Sequence, residues 1–362
     1  MNFSWSSFAQ VLVVKLRPVG LSFENLVRLV SKLWNNRPKR VVLLTKSVKN
    51  TDWVRLGNDL VTVTLRPAHG TGQPHHSSEA TKCESEIAIV VQGPIMNDLD
   101  FTFHTVRQYR NLFPQASLIL STWADEPGLS RFSEMCEVIA SDRAKIPAGW
   151  DNSNLQMHSS HVGVMEAKRI GAKYVLKTRS DQRINDNFSL QSLRNLHDYF
   201  PVKADSNQIG RLLSVSLDTF LYRLYGVSDM FTFGRIEDVQ NFWNGEHPEA
   251  NTKLVSAHSL AKSRFIQLNE VQYCSAFLER VGEVPDWTVE HYWKTLRERF
   301  LILDSSSVAL SWPKYSALEN RWARAGSPPH LEEVTFAKWL AIKSFSLPID
   351  PGFADLTDSH LS

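Results

Sequence analysis

The feature that most limits what this chain can fold into is the run Ile87-Ala88-Ile89-Val90-Val91, which stops at Gln92-Gly93-Pro94. Five successive apolar residues leave no strand face for water, so the segment belongs in a sheet covered on both sides, the usual setting of parallel strands. The next segments keep the alternation. Phe103, Val106, Tyr109 and Phe113 recur at helical spacing before Pro114, and Ser117–Ser121 reads as a strand. A short helix is expected from Leu129, a strand over Glu137–Ala140, and a long helix from Asn154 to Ile170, stopped by Gly171. Tyr174–Lys177 is the next strand and delivers Thr178-Arg179-Ser180-Asp181. Strand and helix in turn at these distances predict an α/β fold around a mostly parallel sheet flanked by helices. Downstream the pattern loosens, with helices expected at 190–199, 236–243, 270–280 and 287–299 and a strand at Met230–Phe233.

A chain of 362 residues, 43% apolar and 22% charged, can bury one large core or two ordinary ones, which excludes disorder, collagen and coiled coil. Cys83, Cys136 and Cys274 are too far apart for a disulfide framework or a zinc cluster, and no HExxH motif occurs. Charge is uneven. Residues 1–82 hold twelve Lys and Arg against four Asp and Glu, +8 in a chain of net charge +2, which leaves −6 for the remainder. A basic first third suits anionic headgroups, nucleic acid or no special partner; the acidic body and the lack of a recognised module argue against nucleic acid. Within it, Phe23, Leu26, Val27, Val30 and Trp34 predict a helix, Val41–Thr45 and Leu60–Leu65 predict strands, and the turn-rich Pro67–Glu79 predicts a linker. The expected organisation is a basic α+β N-terminal segment and linker over 1–80, the main domain over 81–320, and a C-terminal helix and tail over 321–362. No apolar run approaches the roughly 20 residues that cross a bilayer; Ala9–Val14 is short, is broken by Lys15, Arg17 and Pro18, and lacks the charged n-region and small-residue cleavage site of a secretory signal. The expectation is a cytoplasmic protein, at most peripheral.

Ligands of open parallel sheets bind beyond the carboxyl ends of the strands, at the point where strand order reverses. Three such ends carry polar residues: Gln92-Gly93-Pro94, Ser141-Asp142-Arg143 and Arg179-Ser180-Asp181-Gln182-Arg183. The first turn lacks GxGxxG and GxxxxGK[ST], and no GxSxG elbow occurs, so dinucleotide oxidoreductases, P-loop enzymes and α/β-hydrolases are disfavoured. A nucleotide-sugar enzyme or a nucleotidyltransferase remains. On the long helix Asn152, Gln156, Ser160 and Gly163 step along one face, which suits close approach of a base or sugar as well as a solvated surface.

Ile89-Val90-Val91-Gln92-Gly93-Pro94-Ile95, Leu120-Ser121-Thr122-Trp123, the Asn/Gln helix with Gly163, and Lys177-Thr178-Arg179-Ser180-Asp181-Gln182-Arg183-Ile184 together resemble the WavE-like lipopolysaccharide synthesis family. The resemblance covers about residues 86–310 and leaves out the basic first third. It implies a GT-A type, nucleotide-diphospho-sugar fold and a glycosyltransferase of surface-polysaccharide assembly. The implied partners are a nucleotide-sugar donor and a lipid-linked saccharide acceptor at the inner face of the bacterial inner membrane; separately, the basic charge of the first third leads to the expectation that residues 1–50 lie against anionic lipid. Gln92, Gly93, Pro94, Asp142, Asn152, Gln156, Arg179 and Arg183 are the expected donor-binding residues.

Such an enzyme must steady a departing nucleoside diphosphate, commonly with Mn²⁺ or Mg²⁺ on an Asp-x-Asp pair. Here Asp181 stands alone between Arg179 and Arg183. Either Asp181 holds the metal with diphosphate and water, the favoured expectation, or an arginine neutralises the diphosphate directly. A base for the acceptor hydroxyl is expected at Glu270, at the start of a helix capped by Asn269, with Asp229 as its competitor. Trp287, Tyr292 and Trp293 suit packing or stacking on sugar, and His158 with His161 lacks a third metal ligand. The rival readings are a nucleotidyltransferase that makes an activated sugar, and a catalytically degenerate scaffold at the membrane.

Overall fold

A computed structural model describes residues 52–56, 59–63, 85–185, 189–245, 268–312 and 332–351. The expected helix over residues 23–34, the strand Val41–Thr45 and the linker Pro67–Glu79 lie outside them. The chain divides into two compact units, Met1–Pro67 and Ala68–Ser362. In the first, β1 (Asp52–Leu56) and β2 (Asp59–Val63) form an antiparallel pair with Val54 opposite Val61.

The second unit is built on a seven-stranded sheet. Its strands are β3 (Ile87–Gln92), β4 (Ser117–Trp123), β5 (Glu137–Ser141), β6 (Tyr174–Arg179), β8 (Leu212–Val215), β9 (Thr232–Arg235) and β10 (Phe300–Leu303), and β7 (Arg183–Ile184) lies apart from it. Their order is β10-β8-β9-β6-β3-β4-β5, parallel throughout except for β9. The fold is therefore the expected mixed α/β one, a mostly parallel sheet flanked by helices. All six residues of β3 are buried, as its unbroken apolar run requires, because β4 and β6 cover its edges and helices cover its faces.

The connection from β3 to β4 is helix α1 (Phe101–Leu112), and the one from β5 to β6 is α2 (Ser153–Arg169). These crossovers run in opposite directions along the sheet, so right-handed connections place the two helices on opposite faces. α2 returns over β4 and β3, and Gly163 allows it to lie close. A Cβ there would stand 2.4 Å from Val90 Cγ1 and 3.0 Å from Ser121 Cβ. Gly171, at φ +84°, ends the last turn after α2 in left-handed backbone, as its position predicted.

α3 (Ser189–Tyr199), α4 (Ile236–Phe242), α5 (Asn269–Arg280), α6 (Val289–Arg299) and α7 (Phe336–Lys343) complete the unit. Leu268, not Asn269, is the N-cap of α5; Asn269 Nδ2 donates instead to the Asp151 carbonyl at 3.2 Å. Thr288 caps α6 by accepting from His291 N at 3.1 Å. β8 and β10 have no counterpart in the sequence reading, since four-residue apolar segments are ambiguous in isolation. A two-stranded antiparallel ribbon pairs β7 with β11 (Leu310–Ser311), Ile184 opposite Leu310. It brings a segment near residue 310 beside the end of β6. Cys136 and Cys274 are free and buried. Among the described residues no helix is long and apolar enough to cross a membrane.

Candidate active site

Strand order reverses between β3 and β6, the two strands that start from opposite halves of the sheet, and their carboxyl ends are stitched together. Ser180 N donates to the Gln92 carbonyl at 2.8 Å, and Ser180 Oγ to the Pro94 carbonyl at 2.6 Å. Thr102 of α1 closes the knot, donating to the Ser180 carbonyl at 2.9 Å and accepting from Met96 N at 2.8 Å. Gly93 has φ +122°, and a Cβ there would lie 2.8 Å from Ser180 Oγ. Glycine is needed because both turns occupy the same small volume. The Gln92 side chain points away, donating to Ser159 Oγ of α2 at 2.8 Å, so it positions the helix.

Beyond this knot Arg179 and Asp181 face each other. Arg179 Nε donates to Asp181 Oδ1 at 2.9 Å and Nη2 to Oδ2 at 3.0 Å, a parallel fork. Trp312, carried in by the ribbon, donates from Nε1 to Oδ2 at 3.1 Å, while the Arg179 guanidinium carbon lies 5.4 Å from its ring centre. Burial opposes the Arg179 charge, but the Asp181 carboxylate outweighs it and holds the guanidinium above its ordinary value. Arg183 is elsewhere. It is buried under α1, donating from Nε to Thr105 Oγ1 at 2.9 Å and lying 4.4 Å from the Phe101 ring centre. Asp142 is engaged by its own turn, accepting from Ala144 N at 3.1 Å and pairing with Lys145 at 3.3 Å.

A hard divalent cation asks for several carboxylate or carbonyl oxygens at about 2.0–2.6 Å. Asp181 already accepts from Arg179 Nε on Oδ1 and from Arg179 Nη2 and Trp312 Nε1 on Oδ2, so a cation there would share the carboxylate with a guanidinium. Among the described residues no group of three His, Cys, Asp or Glu side chains could hold a metal. His158 stacks on Trp123 with ring centres 6.4 Å apart, and His161 Nδ1 lies 2.8 Å from the Trp243 carbonyl oxygen.

A second set of acids begins with Asp229, which precedes the strand paired with β6 and whose charge acts on both Arg179 and Glu270. Asp229, in the loop before β9, accepts from Gln156 Nε2 of α2 at 2.7 Å. Its carbonyl accepts from Lys177 Nζ at 2.7 Å. Glu270, in the first turn of α5, pairs with Arg223 at 2.8 Å. Burial raises the Glu270 carboxyl above its ordinary value; Arg223 pulls it back and Asp229 pushes it up further. Tyr273, one turn on, donates to the Ser153 carbonyl at 2.8 Å and so pins α5 to the start of α2. Asn152 stands exposed just before α2, in left-handed backbone at φ 61°.

Lys177 is wholly buried beneath this group, its Nζ 4.2 Å from the Trp243 ring centre. Burial lowers its pKa to about 7, against the pull of Asp229. Because the unfolded lysine titrates near about 10.4, the unfolded chain binds the extra proton between those values. Stability should therefore rise with pH above about 7, by up to about 1.4 kcal/mol per unit. Melting curves across pH 7 to pH 9 should show Lys177→Met losing that rise relative to wild type.

The polar face of α2 differs from expectation. Gln156 reaches Asp229, but Ser160 is buried and Gly163 lies on the sheet, so the face turns inward where small residues let helix and strand touch. Trp287, Tyr292 and Trp293 are core: Trp293 Nε1 donates to the Leu221 carbonyl at 2.8 Å, and Trp287 packs on Tyr225 with ring centres 5.0 Å apart. Sequence reading missed Arg223, Tyr273 and Trp312. Each is isolated in the chain, and only an acid with no second carboxylate beside it in sequence hinted that such residues were needed.

No curated protein matches this chain. Among solved structures, the mannose-1-phosphate geranyltransferase of Thermus thermophilus is similar at 12% identity and a TM-score of 0.26, over 55% of this chain and 68% of that one. The profile of the WavE lipopolysaccharide synthesis family matches residues 87–282, which run from the first residue of β3 past the end of α5 and hold the stitched turns, the Arg179–Asp181 fork and the acids Asp229 and Glu270. That span is more than half of the 362 residues, and the chain belongs to the WavE lipopolysaccharide synthesis family.

Proposed function

We propose that the chain is a glycosyltransferase of lipopolysaccharide or related surface-polysaccharide assembly, with a GT-A type donor site that takes a nucleotide-activated sugar. What supports this reading is the arginine fork at the carboxyl end of β6 together with a raised carboxyl on α5, both within the electrostatic reach of Asp229. A partly exposed arginine fork suits a diphosphate, and a raised carboxyl on α5 suits the acceptor hydroxyl. In the reaction the acceptor oxygen attacks the anomeric carbon and gives its proton to Glu270. The bond from that carbon to the phosphate oxygen breaks, and the nucleoside diphosphate leaves against Arg179. Asp229, oriented by Gln156 and by Lys177 on its carbonyl, hydrogen-bonds acceptor hydroxyls. The acceptor in this reading is a lipid-linked saccharide, and the basic residues 1–50 hold the enzyme to anionic lipid, each contributing about 1 kcal/mol near the surface.

Thermal melts with UDP-, GDP-, CMP- and dTDP-sugars test the donor class. One nucleotide at ten times its Kd should add about 1.4 kcal/mol, a shift of a few degrees. A panel in which no nucleotide sugar moves the curve at millimolar concentration sinks the proposal. A shift by nucleoside triphosphates and sugar phosphates instead would favour nucleotidyl transfer.

A further inference from the structure

Breaking the bond from the anomeric carbon adds one negative charge to a diphosphate that already carries two, and a resident cation is the usual counter-charge. Two of the three acids of this site are paired with arginines, and the third accepts from an amide. Asp181 is held by Arg179 through two bonds of 2.9 and 3.0 Å and by Trp312 at 3.1 Å. Asp229 Oδ2 takes Gln156 at 2.7 Å, and Glu270 Oε1 takes Arg223 at 2.8 Å. A divalent ion on Asp181 would stand within a few ångströms of the guanidinium that already neutralises it, a repulsive arrangement in a partly desolvated place.

Arg179 has the complementary property. A guanidinium carries five N–H donors, and Asp181 engages Nε and Nη2, one bond each. The remaining donors belong to a side chain that is 22% exposed at the carboxyl end of β6. The plane of the fork is set by Asp181 on one edge and the Trp312 ring beside it. An arginine held this way meets two phosphate oxygens without first being ordered.

We infer that this site binds the nucleoside diphosphate without a divalent cation, using Arg179 as the counter-charge, with Asp181 and Trp312 as the groups that position it. This rests on the donor-site reading above and goes beyond it by assigning the charge balance of the leaving group. The arginine is already positive, so diphosphate release needs neither metal loading nor metal loss.

The experiment is titration calorimetry of the full-length chain with UDP, GDP, CDP, ADP and dTDP, in EDTA and again in millimolar MnCl₂ or MgCl₂. One diphosphate should bind with the same affinity, within about twofold, in all three buffers. Arg179→Lys keeps the charge but loses the fork, and should weaken binding about tenfold or more in each buffer. Asp181→Asn, which keeps one acceptor oxygen for the guanidinium, should weaken binding less than Arg179→Lys does and by the same factor in all three buffers. Melting curves without nucleotide check that both variants fold, and if either does not, the wild-type comparison across buffers still decides. Binding lost in EDTA, restored by Mn²⁺ and abolished by Asp181→Asn overturns the inference while leaving the donor-site reading intact. Binding of no diphosphate in any buffer overturns both.

Discussion

Glu270→Gln should lower kcat by about 10²–10⁴-fold while leaving donor affinity within a few-fold of wild type, the loss expected when a general base is removed. The amide keeps the shape of the carboxylate and can still accept from Arg223, now 2.8 Å from Glu270 Oε1, but it takes no proton from an acceptor hydroxyl. The pH profile separates catalysis from packing. Burial holds the Glu270 carboxyl above its ordinary 4.5, so activity should fall on the acid side at a pH higher than an exposed glutamate would give. The base works only when ionised, and the limb marks its protonation. In Glu270→Gln the residual activity should lack that limb. Asp229→Asn should instead raise KM for the acceptor more than it lowers kcat. If Asp229→Asn removes the acid limb and Glu270→Gln keeps it, the two roles are exchanged.

Gly163→Val should destabilise the fold by about 3 kcal/mol or more, the upper range for overpacking a filled core. A Cβ at this position meets Val90 Cγ1 at 2.4 Å and Ser121 Cβ at 3.0 Å, and both belong to central strands that cannot retreat. Valine adds two further carbons to that clash. The better helix propensity of valine over glycine offsets less than about 1 kcal/mol. A fall in melting temperature of roughly 6–12 °C would follow for a unit of this size. Gly171→Ala is the control. There a Cβ meets nothing within 4 Å, and the cost is confined to the left-handed backbone at φ +84°, about 1 kcal/mol. Equal melting temperatures for Gly163→Val and wild type would mean that α2 does not lie on the sheet as described.

The residues that local pattern made legible are those whose structure is settled within a turn or a strand. Ile87–Gln92 is a buried central strand because nothing in it tolerates water, and the helix over Ser153–Arg169 ends where Gly171 permits a reversal of hand. The turn Gln92-Gly93-Pro94 and the sequence Arg179-Ser180-Asp181 are legible as candidate site elements for the same reason: polar residues at strand ends are exposed to whatever the sheet binds. The sequence therefore determined the class of fold and the residues that identify the family, and it marks the strand ends proposed here as the site.

Tertiary structure decided what each of those residues does. The tryptophan partner of Asp181 is 131 residues away and arrives through the β7–β11 ribbon, so sequence alone does not show it. Arg183 lies two positions from Asp181 in sequence, yet the strand turns it under α1, where it serves packing. The Ser/Gly face of α2 read as a ligand surface, although small polar side chains also let a helix approach a sheet when Ser121, Ser159 and Gln92 satisfy one another. A charged or polar side chain has no role until its partner is known, and those partners come from distant parts of the chain. Local pattern carries no record of such contacts, because burial and pairing across the sheet are properties of the folded arrangement alone.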